Sequence, residues 1–155
     1  MQDQDYMQLA IALAKQAGAL DEVPVGALVV KNGEIIGRGF NQPISTHDPS
    51  AHAEMVAIRE AAKLLGNYRL VDCELFVTLE PCVMCLGAIF HARISRVIFG
   101  APDPKTGACG SVIDLPSIEK LNHHANITPN ICSDDCGKIL SDFFKQRRQD
   151  KKSAQ

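Results

Sequence analysis

The sequence has no apolar run long enough to cross a bilayer. Its longest, Cys82 to Phe90, is about half of the ~20 residues a membrane-spanning helix needs. It also lacks a basic segment followed by an apolar one at its start, where MQDQDY is acidic, so no secretory signal is expected and the expected location is cytoplasmic. No internal repeat, low-complexity stretch or Ser/Gly-rich linker divides it. Neither sign of charge is in excess: 16 Lys and Arg against 18 Asp and Glu leave −2 on 155 residues. With 46% hydrophobic and 22% charged residues, disordered and fibrous classes are excluded. What remains is one domain spanning 1–155, long enough to bury roughly 70% of its unfolded surface.

The near-neutral total conceals an asymmetry. From Gly137 to Gln155, six basic residues (Lys138, Lys145, Arg147, Arg148, Lys151, Lys152) face Asp142 and Asp150, giving a tail of +4 on a body of −6. A basic end on an acidic body points to an anionic partner. Six cysteines stand at 73, 82, 85, 109, 132 and 136. In a chain of this length without a signal they read as metal ligands or buried thiols, not as a disulfide framework.

Periodicity predicts a helix from Tyr6 to Ala19 with Tyr6, Leu9, Leu13 and Ala17 on one stripe. Val25–Lys31 and Glu34–Phe40 read as strands joined by Asn32-Gly33, a hairpin turn. Asn41–Pro49 reads as a loop, and the alanines with Met55, Ile58, Leu64 and Leu65 make Ser50–Gly66 a helix. Cys73–Leu79 is a strand, and Pro81 suits the first turn of a helix running to Ala92. Arg96–Gly100 is a short strand, followed by a Pro/Gly-rich loop from Ala101 to Gly110 and a helical turn near Ser117–Leu121. Asn126–Cys132 is a further strand, and Asp134–Gln149 a final helix with Ile139, Leu140, Phe143 and Phe144 as its apolar face. This order predicts an α/β fold: a three-layer α/β/α sandwich around a mixed sheet of about five strands.

Two short clusters carry the chemistry. His52-Ala53-Glu54 opens the second predicted helix, and Pro81-Cys82-Val83-Met84-Cys85 opens the third. Cysteines at i and i+3 share a helix face, so both sulfurs can reach one ion at ~2.3 Å. In the first helical turn the macrodipole also favours thiolates. An imidazole nitrogen from His52 makes three ligands and leaves a fourth position for water, the catalytic arrangement of zinc. Zn²⁺, two thiolates and a neutral imidazole sum to zero, yet such an ion still lowers the pKa of its water to about 7. Glu54 is placed to carry a proton from that water to a substrate nitrogen. Taken singly, Cys-x-x-Cys also fits a redox or packing pair, and a histidine at a helix start also fits a cap. The combination is more specific, since H-x-E followed by P-C-x-x-C is the signature of zinc-dependent nucleobase deaminases.

The sequence resembles the bacterial tRNA-specific adenosine deaminases of the cytidine/deoxycytidylate deaminase superfamily. The likeness runs through Glu22-Val-Pro-Val-Gly-Ala27, Asn41, His47-Asp-Pro-Ser-Ala-His-Ala-Glu54, Asn67-Tyr-Arg-Leu70, Val77-Thr-Leu-Glu-Pro-Cys82, Phe99-Gly-Ala101, Asp103, Lys105-Thr-Gly107 and Leu140-Ser-Asp-Phe-Phe144. It covers roughly residues 6 to 150 and is weakest between Leu115 and Ile131. Pro102 and Cys109 depart from the family pattern.

The resemblance implies a cytidine deaminase-like fold and one Zn²⁺ per chain on His52, Cys82 and Cys85, with Glu54 as proton shuttle. Asn41 would hydrogen-bond the flipped base, Asp103 would contact the nucleotide backbone or ribose, and Val25 would line the pocket. On the residues alone, Asn41 and Asp103 also read as turn residues and Val25 as core. The implied activity is hydrolytic deamination of adenosine to inosine at the wobble position of a tRNA anticodon, an arginine tRNA, by a homodimer without membrane attachment. Two other readings stay open: a deaminase of guanine or another free base or nucleotide, and a non-catalytic zinc-stabilised RNA-binding domain. Cys73, Cys109, Cys132 and Cys136 read as reduced, mostly buried thiols, and His123-His124 as surface.

Overall fold

We describe residues 1–154 of the chain in a computed structural model. Helix α1 (Asp3–Ala19) precedes strands β1 (Gly26–Lys31) and β2 (Glu34–Phe40). Asn32 and Gly33 join the two strands with φ of 51° and 77°, the pair of positive values that a tight hairpin turn requires. A single turn, α2 (Pro43–Thr46), leads into α3 (Ala53–Leu65), β3 (Cys73–Leu79), α4 (Val83–His91) and β4 (Arg96–Ala101). A 3₁₀ turn at Leu115–Ser117, β5 (Asn126–Thr128) and α5 (Ser133–Ser153) complete the order.

The sheet runs β2-β1-β3-β4-β5. β1 is antiparallel to both β2 and β3, whereas β3, β4 and β5 are parallel. Alternate residues of each strand face opposite layers. Leu28, Val30, Phe76 and Ile98 pack with Tyr6, Met7, Ala10 and Ile11 of α1 and Cys136 of α5. Ala27, Val29, Leu75, Val77, Val97 and Phe99 pack with Ala57 and Ile58 of α3 and Leu86 and Ile89 of α4. This is the expected three-layer α/β/α sandwich with a five-stranded mixed sheet.

Several boundaries and faces differ from the sequence reading. The segment taken as a loop after β2 contains α2. β5 ends at Thr128 because Pro129 follows, which has no N–H for a sheet ladder. On α1 the buried stripe is Tyr6, Met7, Ala10, Ile11, Ala14 and Ala17, and Leu9 is 41% exposed. α3 is covered through Ala53, Ala57, Ile58 and Ala61, while Leu64 is 66% exposed. Small residues win here because α3 lies directly on β2. A Cβ at Gly39 would come within 2.3 Å of the Ala53 carbonyl oxygen, and one at Gly37 within 2.3 Å of that of Ala57. That close approach carries His52 and Glu54 down onto the sheet.

Candidate active site

Both chemical clusters sit at helix N-termini that meet beside the end of β3. His52 is the N-cap of α3 (φ −71°, ψ 155°) and Cys82 the N-cap of α4 (φ −82°, ψ 175°). Pro81 and Cys82 therefore precede the helix that they were expected to begin. Only Cys85 lies in its first turn, because the extended backbone at Cys82 is what turns its side chain towards His52. The Nδ1 atom of His52 lies 3.6 Å from Sγ of Cys82 and 3.6 Å from Sγ of Cys85, and the three ligand atoms all lie within 4.8 Å of one another. A tetrahedral zinc with Zn–S of ~2.3 Å and Zn–N of ~2.0–2.1 Å holds sulfur and nitrogen about 3.6 Å apart. The donor set and its spacing thus fit one zinc ion, and no other such cluster occurs among the described residues.

The electrostatics around these atoms suit a cation. The Cys85 thiol and then the His52 imidazole bond to Cys82 and pull its thiol down to about 4, while Cys85, facing that thiolate and buried, is pushed up. The bond to Cys82 raises His52. Glu54, the second residue of α3, is 4% exposed and stands outside the ligand set. Burial pushes its carboxyl up to about 7, with the Cys82 charge adding and the first-turn amide and His52 opposing. A buried carboxyl near neutrality can both take and give a proton.

A cavity of about 210 Å³ opens onto this cluster, and its lining includes Val25, Asn41, His52, Glu54, Cys82 and Asp103. It is smaller than the ~300–1,000 Å³ of pockets for drug-sized ligands, a size for one ring system. Val25 is both pocket wall and core. Asn41 accepts the Ala53 N–H on Oδ1 at 2.8 Å. This fixes its amide and leaves its own N–H groups to a ligand. Asp103 is engaged by its own loop: Oδ1 accepts from the Lys105 and Thr106 amides (3.0 and 3.2 Å) and Oδ2 from the Thr106 hydroxyl (2.8 Å).

Two further buried carboxylates were not singled out from the sequence: Glu80, which lines this cavity, and Glu22, next to its lining residue Val23. Glu22, 1% exposed, accepts the amides of Ile44 and Ser45 at 3.1 and 2.7 Å. Burial pushes its carboxyl up, but the bonds from Ser45 and Ile44 prevail and hold it below the usual range. Glu80, 3% exposed, binds the loop that follows β4. The available signal was an acid set in an apolar flank, beside Val23-Pro24-Val25 in one case and between Leu79 and Pro81 in the other.

A second cavity of about 360 Å³, lined largely by Leu79, Pro102, Pro104, Leu140 and Phe144, shares Asp103 and Thr106 with the first. Beyond it Lys105, Arg147, Arg148 and Lys151 gather around Phe144, so the basic part of α5 borders this second cavity. The face of α5 expected to be apolar core is only half covered: Ile139, Leu140 and Phe143 are half-buried and Phe144 is 39% exposed. Of the remaining thiols Cys73 and Cys136 are buried, Cys109 and Cys132 half-buried, and all are free. His123 is not a surface residue as expected. It is half-buried, lies 2.8 Å from the Ile94 carbonyl oxygen and meets Phe90 edge-on.

The family model of the cytidine and deoxycytidylate deaminase zinc-binding region matches residues 1–101. Among similar proteins, the tRNA-specific adenosine deaminase of Haemophilus influenzae is 48% identical over 151 residues, covering 97% of this chain and 87% of that one. The tRNA-specific adenosine deaminase of Bacillus subtilis is 46% identical over 153 residues, covering 99% and 95%. A solved structure from a study of A-to-I editing by tRNA:A34 deaminases at the wobble position of transfer RNA superposes with a TM-score of 0.85 at 41% identity, over 88% of this chain and 99% of that one. The guanine deaminase of Bacillus subtilis superposes with a TM-score of 0.63 at 43% identity, over 66% of each chain.

Proposed function

Because the chain belongs to the cytidine and deoxycytidylate deaminases and, within them, to the tRNA-specific adenosine deaminases, we propose that it converts the wobble adenosine of an arginine tRNA anticodon to inosine. The observation that carries this reading is one small cavity onto which a His/Cys/Cys zinc set and a separate buried glutamate both open. Hydrolytic deamination replaces the C6 amino group of adenine by the oxygen of water and releases ammonia.

His52, Cys82 and Cys85 hold the zinc, which when bound supplies a Lewis acid that brings the pKa of water close to neutrality. Glu54 takes one proton of the attacking water on its carboxylate and passes it to N1 of the base, then takes the second from the hydroxyl now on C6 and gives it to the departing amine as the C6 carbonyl forms. Its burial matters here because a strongly acidic carboxyl could not give the proton back. The Asn41 N–H groups, turned to the cavity by the bond of Oδ1 to Ala53, donate to acceptor atoms of the purine. Val25 supplies the apolar surface on which the ring lies. Asp103, held by its own loop at the mouth, is placed near the ribose of a base that has entered.

The target base must leave its stack to reach the zinc set, and an anticodon loop presents unpaired bases at little unstacking cost. Lys105, Arg147, Arg148 and Lys151 supply phosphate contacts beside the mouth. A guanine-deaminase reading has the 43% likeness over 66% of the chain in its favour. The basic α5 favours RNA, since a free base has no phosphate to meet it. A tRNA substrate goes with a cytoplasmic location, and the exposure of Val83 and Met84 beside the zinc ligands on α4 supports a homodimer, to be checked by sedimentation. The test of function is sequencing of arginine tRNA before and after incubation with the purified protein. Inosine at the wobble position is expected, and unchanged adenosine there with a zinc-loaded enzyme would overturn the reading.

A further inference from the structure

We propose that Glu80, a carboxylate outside the chemistry, is the positioning residue that sets the Asp103–Thr106 wall of the cavity, and that it thereby governs how well an RNA-embedded base is seated. The proposal rests on the tRNA-deaminase reading above. Glu80 lies between the end of β3 and the turn into α4, so it is fixed at one end by the sheet and at the other by the helix that carries two zinc ligands. Its Oε1 accepts the Asp103 amide at 3.0 Å and the Ser111 hydroxyl at 2.5 Å, and its Oε2 accepts the amides of Cys109 and Ser111 at 2.9 and 3.2 Å. No described ion pair includes it. The charge is balanced by one loop alone.

A buried carboxylate is tolerated only while its hydrogen bonds are kept, so this loop has one conformation that satisfies Glu80. Gly107 shows how closely it is drawn in: a Cβ there would lie 2.4 Å from Oε2. The next residue ties the same loop a second time, because the Ala108 amide donates to the Pro81 carbonyl oxygen at 2.9 Å. Glu80 and Pro81 together therefore register the loop against Cys82. Glu22 holds α2, whose Pro43 also lines the cavity, in the same manner. A base inside the cavity touches Val25, Asn41 and Glu54. Its ribose and flanking nucleotides must pass the Asp103–Thr106 wall, so loss of the Glu80 clamp falls on seating of the RNA and not on proton transfer.

The test compares wild type, Glu80→Gln and Ser111→Ala on an arginine tRNA anticodon stem-loop, with zinc content measured alongside. Glutamine keeps the shape but turns an N–H₂ group towards donors, so the KM for the stem-loop should rise about tenfold or more, the weight of a hydrogen bond to a charged group. The kcat should stay within about threefold, the signature of lost seating without lost chemistry, at one zinc per chain. Ser111→Ala, which removes one of the four bonds and decides the matter if Glu80→Gln does not fold, should raise KM in the same direction by less. A fall in kcat at unchanged KM, loss of zinc in Ser111→Ala, or unaltered kinetics in both variants would overturn the proposal. Absence of stem-loop turnover in the wild type would instead overturn the function on which it rests.

Discussion

At the residue scale, the four chemical side chains should separate cleanly by what their loss removes. Cys82 and Cys85 meet His52 at 3.6 Å, so Cys82→Ala or Cys85→Ala should lose the one zinc held by the wild type, read by metal analysis of the purified proteins. Full occupancy in both variants would dissolve the site. In the proposed mechanism Glu54 is a shuttle and no ligand, so Glu54→Ala should keep its zinc and lose turnover by at least ~10²-fold, the usual weight of a general acid–base group. Zinc loss in that variant, or near-normal turnover, would show the role to be misassigned. These residues were legible in the sequence because thiol, imidazole and carboxylate chemistry is announced by residue type and spacing. Glu22 and Glu80 were not, because their partners, backbone amides and the Ser111 hydroxyl, lie on segments 22 to 31 residues away, and no spacing in the sequence announces such a pairing. Asn41 lay between the two: its type allowed a turn or a base contact, and only its bond to Ala53 fixes which atoms face the cavity.

At the scale of elements, the zinc set depends on helices whose placement is set by small residues. α3 approaches β2 through Ala53, Ala57 and Ala61 against Gly37 and Gly39. Gly39→Ala would press a methyl group into the carbonyl of Ala53, the residue between His52 and Glu54. It should destabilise the fold by about 1–3 kcal/mol, the cost of an overpacked core, read as a lower denaturant midpoint, and an unchanged midpoint would contradict this packing. Sequence pattern located α3 through its alanines and Ile58, but it also counted Leu64 and Leu65, which are exposed, because large aliphatic residues weigh heavily in any count of hydrophobicity. The same bias put Leu9 inside α1. Strand pairing was more legible: Asn32-Gly33 fixed the hairpin, and the strand–helix alternation after it fixed the parallel half of the sheet. The one-turn α2 was hidden because two prolines and no apolar period mark its segment as loop.

At the scale of the whole molecule, charge is divided as the work is divided. The −6 body encloses the chemistry, and the +4 tail makes up most of α5, with Arg147 stacked on Phe143 at 5.1 Å from the ring centre. Removal of Lys145–Gln155 should therefore weaken stem-loop binding while zinc content stays at one per chain, and binding by the intact chain should fall as salt rises because phosphate contacts release counterions. Equal affinity of the truncated and intact chains would place the RNA elsewhere. The central claim is that this cavity accepts its base as part of an RNA, and turnover compared on two substrates under the same conditions tests it most directly. The arginine tRNA anticodon stem-loop should be deaminated to inosine far faster than free guanine is deaminated, whereas faster turnover of guanine, with no inosine formed in the RNA, would contradict the account.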